Sequence, residues 1–284
     1  MLTNSKEILQ KAQSQGYAVG QFNTSDLEVT KAIVKAAVKM KAPIIIGTSE
    51  KAIDYAGLEE IAGIIQTEAE KVNIPLVLHL DHGKSLEIVE KCIQTGYTSV
   101  MIDGSHLSFE ENIRITKRVA SLAHQHKITA EGELGALANR EKYQVGISQF
   151  LTDPEKAAEF VKKTKVDSLA VAIGNAHGIP LPEEKLDFDR LASIRRLVPV
   201  PLVLHGASST PEKDIKKVIG QGICKINIDT DIRLTFNKSI REFLKTHPSV
   251  YDPREILGSV MDAVQKLVEA KIQLFDSAGR GIKG

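Results

Sequence analysis

Short apolar runs recur along this chain of 284 residues, at 18–22, 43–47, 76–80, 99–102, 128–131, 168–173, 202–205 and 224–228. Each is too brief for a helix and is rich in Val, Ile and Leu. Unbroken apolar character over so few residues indicates strands buried on both faces, as in parallel sheets. The longer stretches between them are patterned as helices. Residues 26–40 place Leu27, Val34, Ala37 and Val38 on one stripe, with lysines elsewhere. Asp153-Pro154 and Thr210-Pro211 read as N-caps followed by proline at the first helical position. Ser108-Phe109-Glu110-Glu111 reads as a capping box. Eight strands alternating with helices predict one closed barrel, a single (β/α)8 TIM barrel spanning 1–284. Past the eighth strand the chain runs on through Asp252-Pro253-Arg254, a helical extension fit for a lid or an oligomer arm.

A formal net charge of +1 removes any bulk electrostatic case for a nucleic-acid or membrane partner. Anionic substrates must therefore be held by a local site. The two cysteines, Cys92 and Cys224, form no disulfide framework, which points to a reduced, cytoplasmic setting. The first residues lack an apolar signal core. No apolar run approaches the roughly 18 residues that a membrane span needs.

In such barrels catalytic groups come from the C-terminal ends of different strands. Polar residues gather at that end of all eight runs. They include Asn23, Ser49, Asp81-His82, Asp103-Gly104-Ser105-His106, Glu131-Gly132-Glu133, Asn175-Ala176-His177-Gly178, His205-Gly206-Ala207-Ser208 and Asn227-Ile228-Asp229-Thr230. His82, His177 and His205 sit at three matching strand ends, a three-imidazole metal site that leaves a fourth position open for substrate or water. Asp81 is placed either to orient an imidazole or to transfer a proton, and proton transfer is the favoured role. Asp103 and Glu133 read as loop caps or as oxygen ligands of a second metal position. His79 precedes its strand end and reads as structural; His124, His126 and His247 read as solvated, and His106 stays open. The loops after strands seven and eight, with Gly206, Ala207, Ser208, Asn227, Ile228, Asp229 and Thr230, stand where this fold often binds phosphate. Lys225 shares strand parity with Asn227 and so faces the interior. A Schiff-base role for it is redundant beside a metal.

Taken together, Leu80-Asp81-His82-Gly83, Met101-Ile102-Asp103-Gly104-Ser105-His106, Glu131-Gly132-Glu133-Leu134-Gly135, Gly174-Asn175-Ala176-His177-Gly178, His205-Gly206-Ala207-Ser208 and Lys225-Ile226-Asn227-Ile228-Asp229-Thr230 resemble the class II, zinc-dependent ketose-bisphosphate aldolases. The likeness runs from about Tyr17 to the tail. Residues 168–174 and 222–227 look closer to the tagatose-bisphosphate branch than to the fructose-bisphosphate branch. The resemblance implies that His82, His177 and His205 hold zinc, and that Asp103 and Glu133 serve a second, alternative position. It implies Asp81 as the proton donor to the aldehyde oxygen and Glu141 as the proton shuttle of a loop. Gly178, Gly206, Ser208, Asn227, Asp229 and Thr230 would hold the dihydroxyacetone phosphate half, with Asn23, Ala207 and Ile228 in the same substrate-binding set. Ser49 and Arg254 would meet the distal phosphate. A monovalent cation near the phosphate and a homo-oligomer, dimer or tetramer, also follow from the family. One departure stands out. Where the family carries Gly-Gly followed by Glu-Asp, this chain has Ala138-Asn139-Arg140-Glu141-Lys142, which has less backbone freedom.

The expectation is reversible cleavage of a ketohexose 1,6-bisphosphate, tagatose ahead of fructose, to dihydroxyacetone phosphate and glyceraldehyde 3-phosphate. Another phosphorylated sugar is an alternative substrate. A TIM-barrel metallohydrolase is the rival class, but those barrels usually show His-x-His on the first strand, and here that strand ends Gln21-Phe22-Asn23. A binding protein that has lost turnover through its altered loop is a third reading.

Overall fold

The computed structural model describes residues 2–135, 150–175 and 185–281. Eight parallel strands close into a barrel in chain order. They are β1 (Val19–Asn23), β2 (Ile44–Ser49), β3 (Leu76–Gly83), β4 (Ser99–Ile102), β5 (Thr129–Leu134), β6 (Ser168–Val171), β7 (Leu202–Leu204) and β8 (Ile223–Ile228), and β8 pairs back onto β1. The helices, in chain order, are α1 (Lys6–Gln15), α2 (Leu27–Met40), α3 (Glu50–Ala56), α4 (Leu58–Glu70), α5 (Leu86–Gln94), α6 (Phe109–Gln125), α7 (Pro154–Thr164), α8 (Phe188–Leu197), α9 (Glu212–Gly220), α10 (Thr230–Thr246) and α11 (Pro253–Leu274). The predicted (β/α)8 barrel is the observed fold. Two helices, α10 and α11, follow the eighth strand.

The two ends of the barrel are built differently. Before the first strand, α1 lays Ile8, Leu9 and Ala12 against Val19, Ile45, Val77 and Cys224, with Tyr17 in the same cluster. This apolar plug closes the N-terminal mouth. The much larger apolar cluster fills the space between the strands and the outer helices. Higher in the barrel the buried residues turn polar: Gln21, His79, Ser99, Glu131, Ser168 and Lys225 are all at most 2% exposed. Every chain direction in the sheet then carries these groups toward the opposite, C-terminal mouth.

Local chemistry explains most element boundaries. Asp153 accepts from the backbone N–H groups of Glu155 and Lys156, with Pro154 opening α7 as expected. Ser108 and Glu111 form the reciprocal capping box of α6. Thr210 does not cap α9, however. Its backbone N–H closes a 3-10 turn on the Ala207 carbonyl, Pro211 is extended, and the helix starts at Glu212. On α2 the buried face is centred on Val29, Ile33 and Ala36, so Val34 and Ala37 are buried while Leu27 and Val38 lie about 40% exposed. The stripe expected from Leu27, Val34, Ala37 and Val38 was therefore rotated away from the true one. The sixth strand stops at Val171 rather than 173. There side chains replace ladder partners, since Thr152 Oγ1 accepts from Ala172 N and Asn175 Oδ1 from Ile173 N.

The most consequential irregularity is in β3. Leu80 pairs with Val100, but the next pair is Gly83 with Ile102, so β3 carries one residue more than its neighbour. Regular alternation sends consecutive side chains to opposite faces. The bulge breaks that rule and lets Asp81 and His82 both point into the mouth. His82 adopts φ 105°, outside the range favoured by side-chain-bearing residues. Such a conformation costs about 1–3 kcal/mol and persists only where its surroundings hold it. Gly83 completes the turn, because a Cβ there would come within 2.9 Å of the Met101 carbonyl oxygen.

Candidate metal centre and active site

His82, from the β3 bulge, and His205, just past β7, face each other with ring centroids 4.7 Å apart. Carboxylates surround the pair. Asp103 Oδ2 is 3.2 Å from His82 Nδ1, and Asp81 Oδ1 is 3.7 Å from His82 Nε2. Glu133 Oε2 lies 3.3 Å from His205 Nδ1 and 3.7 Å from His82 Nδ1. Two donor groups result, Asp81 with His82 and His205, and His82 with Asp103 and Glu133. His82 belongs to both. The expected third imidazole, His177, lies outside the described residues, as do Gly178 and Glu141.

A buried pair beneath the imidazoles fixes how they are presented. His205 Nε2 donates to Glu131 Oε1 at 2.9 Å, which leaves Nδ1 aimed at Glu133 and His82. Glu131 also accepts from Lys225 Nζ at 2.8 and 3.0 Å and from Ser168 Oγ at 3.1 Å. A carboxylate behind a metal-binding imidazole sets its tautomer and orientation. Lys225 is thus engaged by Glu131 rather than presented as a nucleophile. His79 is structural, as expected: its Nδ1 is 2.8 Å from Ser99 Oγ. Burial, reinforced by the Lys225 charge, pushes its pKa down to about 3. Among the remaining histidines, exposed His124 pairs with Asp167 at 2.9 Å.

The electrostatics favour a cation at the centre. Burial alone would lower the His82 pKa, but Asp81, Asp103 and Glu133 outweigh it and raise it to about 10. Burial likewise opposes charge on Asp81, yet the neighbouring His82, His205 and Lys225 charges hold it well below the usual carboxylate range. The same balance, burial against His82 and Ser105, depresses Asp103. A field that stabilises an imidazolium this strongly also suits a divalent ion. The donor set of imidazole nitrogens and carboxylate oxygens matches zinc chemistry. Glu133 Oε2 fits that reading further: it is buried and accepts no well-aligned hydrogen bond.

Asp81 is held by three amides. Gln21 Nε2 and Asn227 Nδ2 donate to Oδ1 at 2.8 and 3.0 Å, and Asn23 Nδ2 donates to Oδ2 at 2.7 Å. Above it opens a cleft of about 480 Å³, lined by Asn23, Ser49, Asp81, His82, Asp103, Gly206, Ser208, Asn227, Asp229 and Thr230, and also by Lys51, Lys84 and Arg233. A second hollow of similar size adjoins it across Asn23, Ser49, Lys51, Asp229 and Arg233. Ala207 and Ile228, expected in the substrate-binding set, are buried in the apolar core and do not line this cleft. Ser49 also caps α3 by accepting from Ala52 N. Arg254 stands elsewhere. Its side chain is 89% exposed, pairs with Asp252, and does not line the cleft of its own chain.

The structure adds residues that motif reading left without a place in the site: Gln21, Glu131 and Lys225 below the cleft, and Lys51, Lys84 and Arg233 around it. Strand parity carried a signal for the first three, since each sits two residues before a residue of the cleft (Asn23, Asn227) or of the metal centre (Glu133) on the same strand. Among the described residues, no helix is long and apolar enough to cross a membrane.

The arrangement has close counterparts. The family model for class II fructose-bisphosphate aldolase matches residues 3–280. A fructose-bisphosphate aldolase of Thermus caldophilus is 44% identical, covering 99% of this chain and all of the relative. One from Geobacillus stearothermophilus is 43% identical, with 98% of each chain covered. Among solved structures, the YdjI aldolase of Escherichia coli K12 superposes with a TM-score of 0.89 at 34% identity, over 99% of this chain and all of that one. A closed barrel, an acid-ringed histidine pair at its C-terminal mouth and full-length similarity all lead to one placement: the chain belongs to the class II fructose-bisphosphate aldolases, which are lyases.

Proposed function

We propose that the protein is a zinc-dependent enzyme that reversibly cleaves a ketohexose 1,6-bisphosphate to dihydroxyacetone phosphate and glyceraldehyde 3-phosphate. Zinc would be held by His82 and His205, with His177 as the third ligand implied by the family, and Asp103 and Glu133 would offer the alternative position through His82. When bound, the ion supplies a Lewis acid for the ketone oxygen and charge to stabilise the electron pair released by cleavage. Asp81 accepts the proton from the hydroxyl whose carbon becomes the aldehyde, the carbon–carbon bond breaks, and the electron pair passes to the ketose half. Glu141 then gives a proton to the dihydroxyacetone phosphate carbon released from the broken bond, and in condensation both roles reverse. Gly206, Ser208, Asn227, Asp229 and Thr230, with the start of α10, would hold the dihydroxyacetone phosphate end; Ser49, joined by Lys51 and Arg233, would meet the distal phosphate. In an oligomer, Arg254 would reach the distal phosphate only from another subunit.

The observation that carries this reading is the geometry around Asp81: a carboxylate fixed in place by three amides, and kept anionic by neighbouring charges, beside an imidazole pair at the mouth of the barrel. Tagatose and fructose bisphosphates differ at one stereocentre. The similarity of residues 168–174 and 222–227 to the tagatose branch supports the former, and the names of the relatives support the latter. A coupled assay on both sugars, with metal-free and zinc-restored protein, tests the proposal. Zinc-restored cleavage of at least one is the expected result, and its ratio between sugars ranks them. Cleavage that persists after full metal removal would contradict it.

A further inference from the structure

Gln21 has no assigned part in holding metal or substrate, yet it is fully buried and donates to the proposed proton-transfer carboxylate. Its Nε2 uses both hydrogens, one to Asp81 Oδ1 at 2.8 Å and one to Asn23 Oδ1 at 2.9 Å. The second bond fixes the Asn23 amide so that its Nδ2 faces Asp81 Oδ2. The surroundings are shaped to admit this pair. A Cβ on Gly47, across on β2, would lie 2.4 Å from Asn23 Oδ1 and 2.6 Å from Gln21 Nε2. Stability does not account for the amide, because Gln21 Oε1 is buried without a hydrogen-bond partner among the described residues. An unsatisfied buried acceptor costs about 1–3 kcal/mol, and an apolar side chain of the same shape would avoid it.

The three amides around Asp81 are also unequal. Asn23 and Asn227 line the cleft, where a substrate competes for their N–H groups. Gln21 does not line the cleft, so its bond to Asp81 is not exposed to that competition.

We infer that Gln21 is the positioning residue for Asp81: it locks the carboxylate, directly and through Asn23, at the hydroxyl whose proton moves during carbon–carbon cleavage. This rests on the proposed aldolase reading. It separates two half-reactions. Breaking the carbon–carbon bond requires Asp81. Exchange of the carbon-bound proton of dihydroxyacetone phosphate with solvent breaks only a C–H bond, returns a solvent proton to the same carbon, and does not involve the hydroxyl that Asp81 serves.

The test is Gln21→Met on zinc-loaded protein, with four readouts: cleavage kcat and KM, deuterium uptake by dihydroxyacetone phosphate in D2O, bound zinc, and melting temperature. The expected result is a kcat lower by about ten- to a hundred-fold, with KM, deuterium uptake and zinc content within about twofold of wild type, and a melting temperature unchanged or raised. Gly47→Ala, which crowds the same two amides, should split the half-reactions the same way. Wild-type kcat in a folded Gln21→Met protein would overturn the inference, and so would a parallel fall of cleavage and exchange. If methionine prevents folding, Gln21→Leu removes the amide donor with a second apolar side chain, and wild-type cleavage by that variant would equally overturn it. A wild-type protein that neither cleaves nor exchanges would instead refute the aldolase reading itself.

Discussion

The two mouths of the barrel are made by the same eight strands and obey different rules. At the N-terminal mouth, Ile8, Leu9 and Ala12 meet Val19, Ile45, Val77 and Cys224 in an apolar cluster. At the C-terminal mouth, the chain buries Asp81, Glu131, Glu133, His205 and Lys225, and holds His82 at a positive φ. One end gains stability from packing. The other gives up stability to hold charges in fixed geometry. Changes at the first should therefore alter folding with little effect on chemistry, and changes at the second the reverse.

The largest expected effect is at the polar mouth. Asp81→Asn should lower kcat by about 10²–10⁴-fold, the usual worth of a positioned acid–base group, with a loss of stability that stays smaller than the loss of rate. A loss of stability as large as the loss of rate would erase the contrast between the mouths. Next comes the apolar mouth. Leu9→Ala, at 1% exposure, should destabilise by about 2–5 kcal/mol, read by denaturant unfolding, with kcat per folded molecule unchanged. Lys225→Met should weaken zinc binding by about 10–100-fold, measured by chelator competition, because Glu131 then lacks the cation that fixes its hold on His205. Unchanged affinity would show that Glu131 needs no counter-charge. The smallest effect is a pH slope. In metal-free protein His82 is raised from 6.5 to about 10. The stability it contributes is thus complete below pH 6.5 and is lost as pH rises toward about 10. Melting temperatures of the metal-free protein should fall across that window, and saturating zinc should flatten the slope, since bound metal replaces the proton.

Much of this was legible in the sequence because strand ends in this fold advertise themselves. Asp81-His82, Glu133 and His205 converge as their placement at the ends of apolar runs indicated, and Ser208 and Asn227 line the same cleft. What escaped falls into two physical classes. Parity reasoning assumes an unbroken strand, so it does not foresee the bulge by which consecutive Asp81 and His82 come to face one cavity. Charge partners are invisible until chains are brought together: Glu131 and Lys225 are 94 residues apart, and nothing local distinguishes their pair from two separate core residues. Arg233 was overlooked for a similar reason, as a helix residue four beyond Asp229, with which it pairs at 2.8 Å.

The bulge in β3 also bears on how this active site tolerates change. A scan that replaces one side chain at a time alters what each position carries but never how many positions there are. The convergence of Asp81 and His82 depends on that number, on three steps along β3 against two along β4. Deleting a single residue between 80 and 83 would restore regular alternation and turn one of the two outward, with every functional side chain still present. Sequence length in that four-residue stretch is therefore as much a determinant of the site as its composition, and a variant of full motif but altered count should fold as a barrel and lack the chemistry.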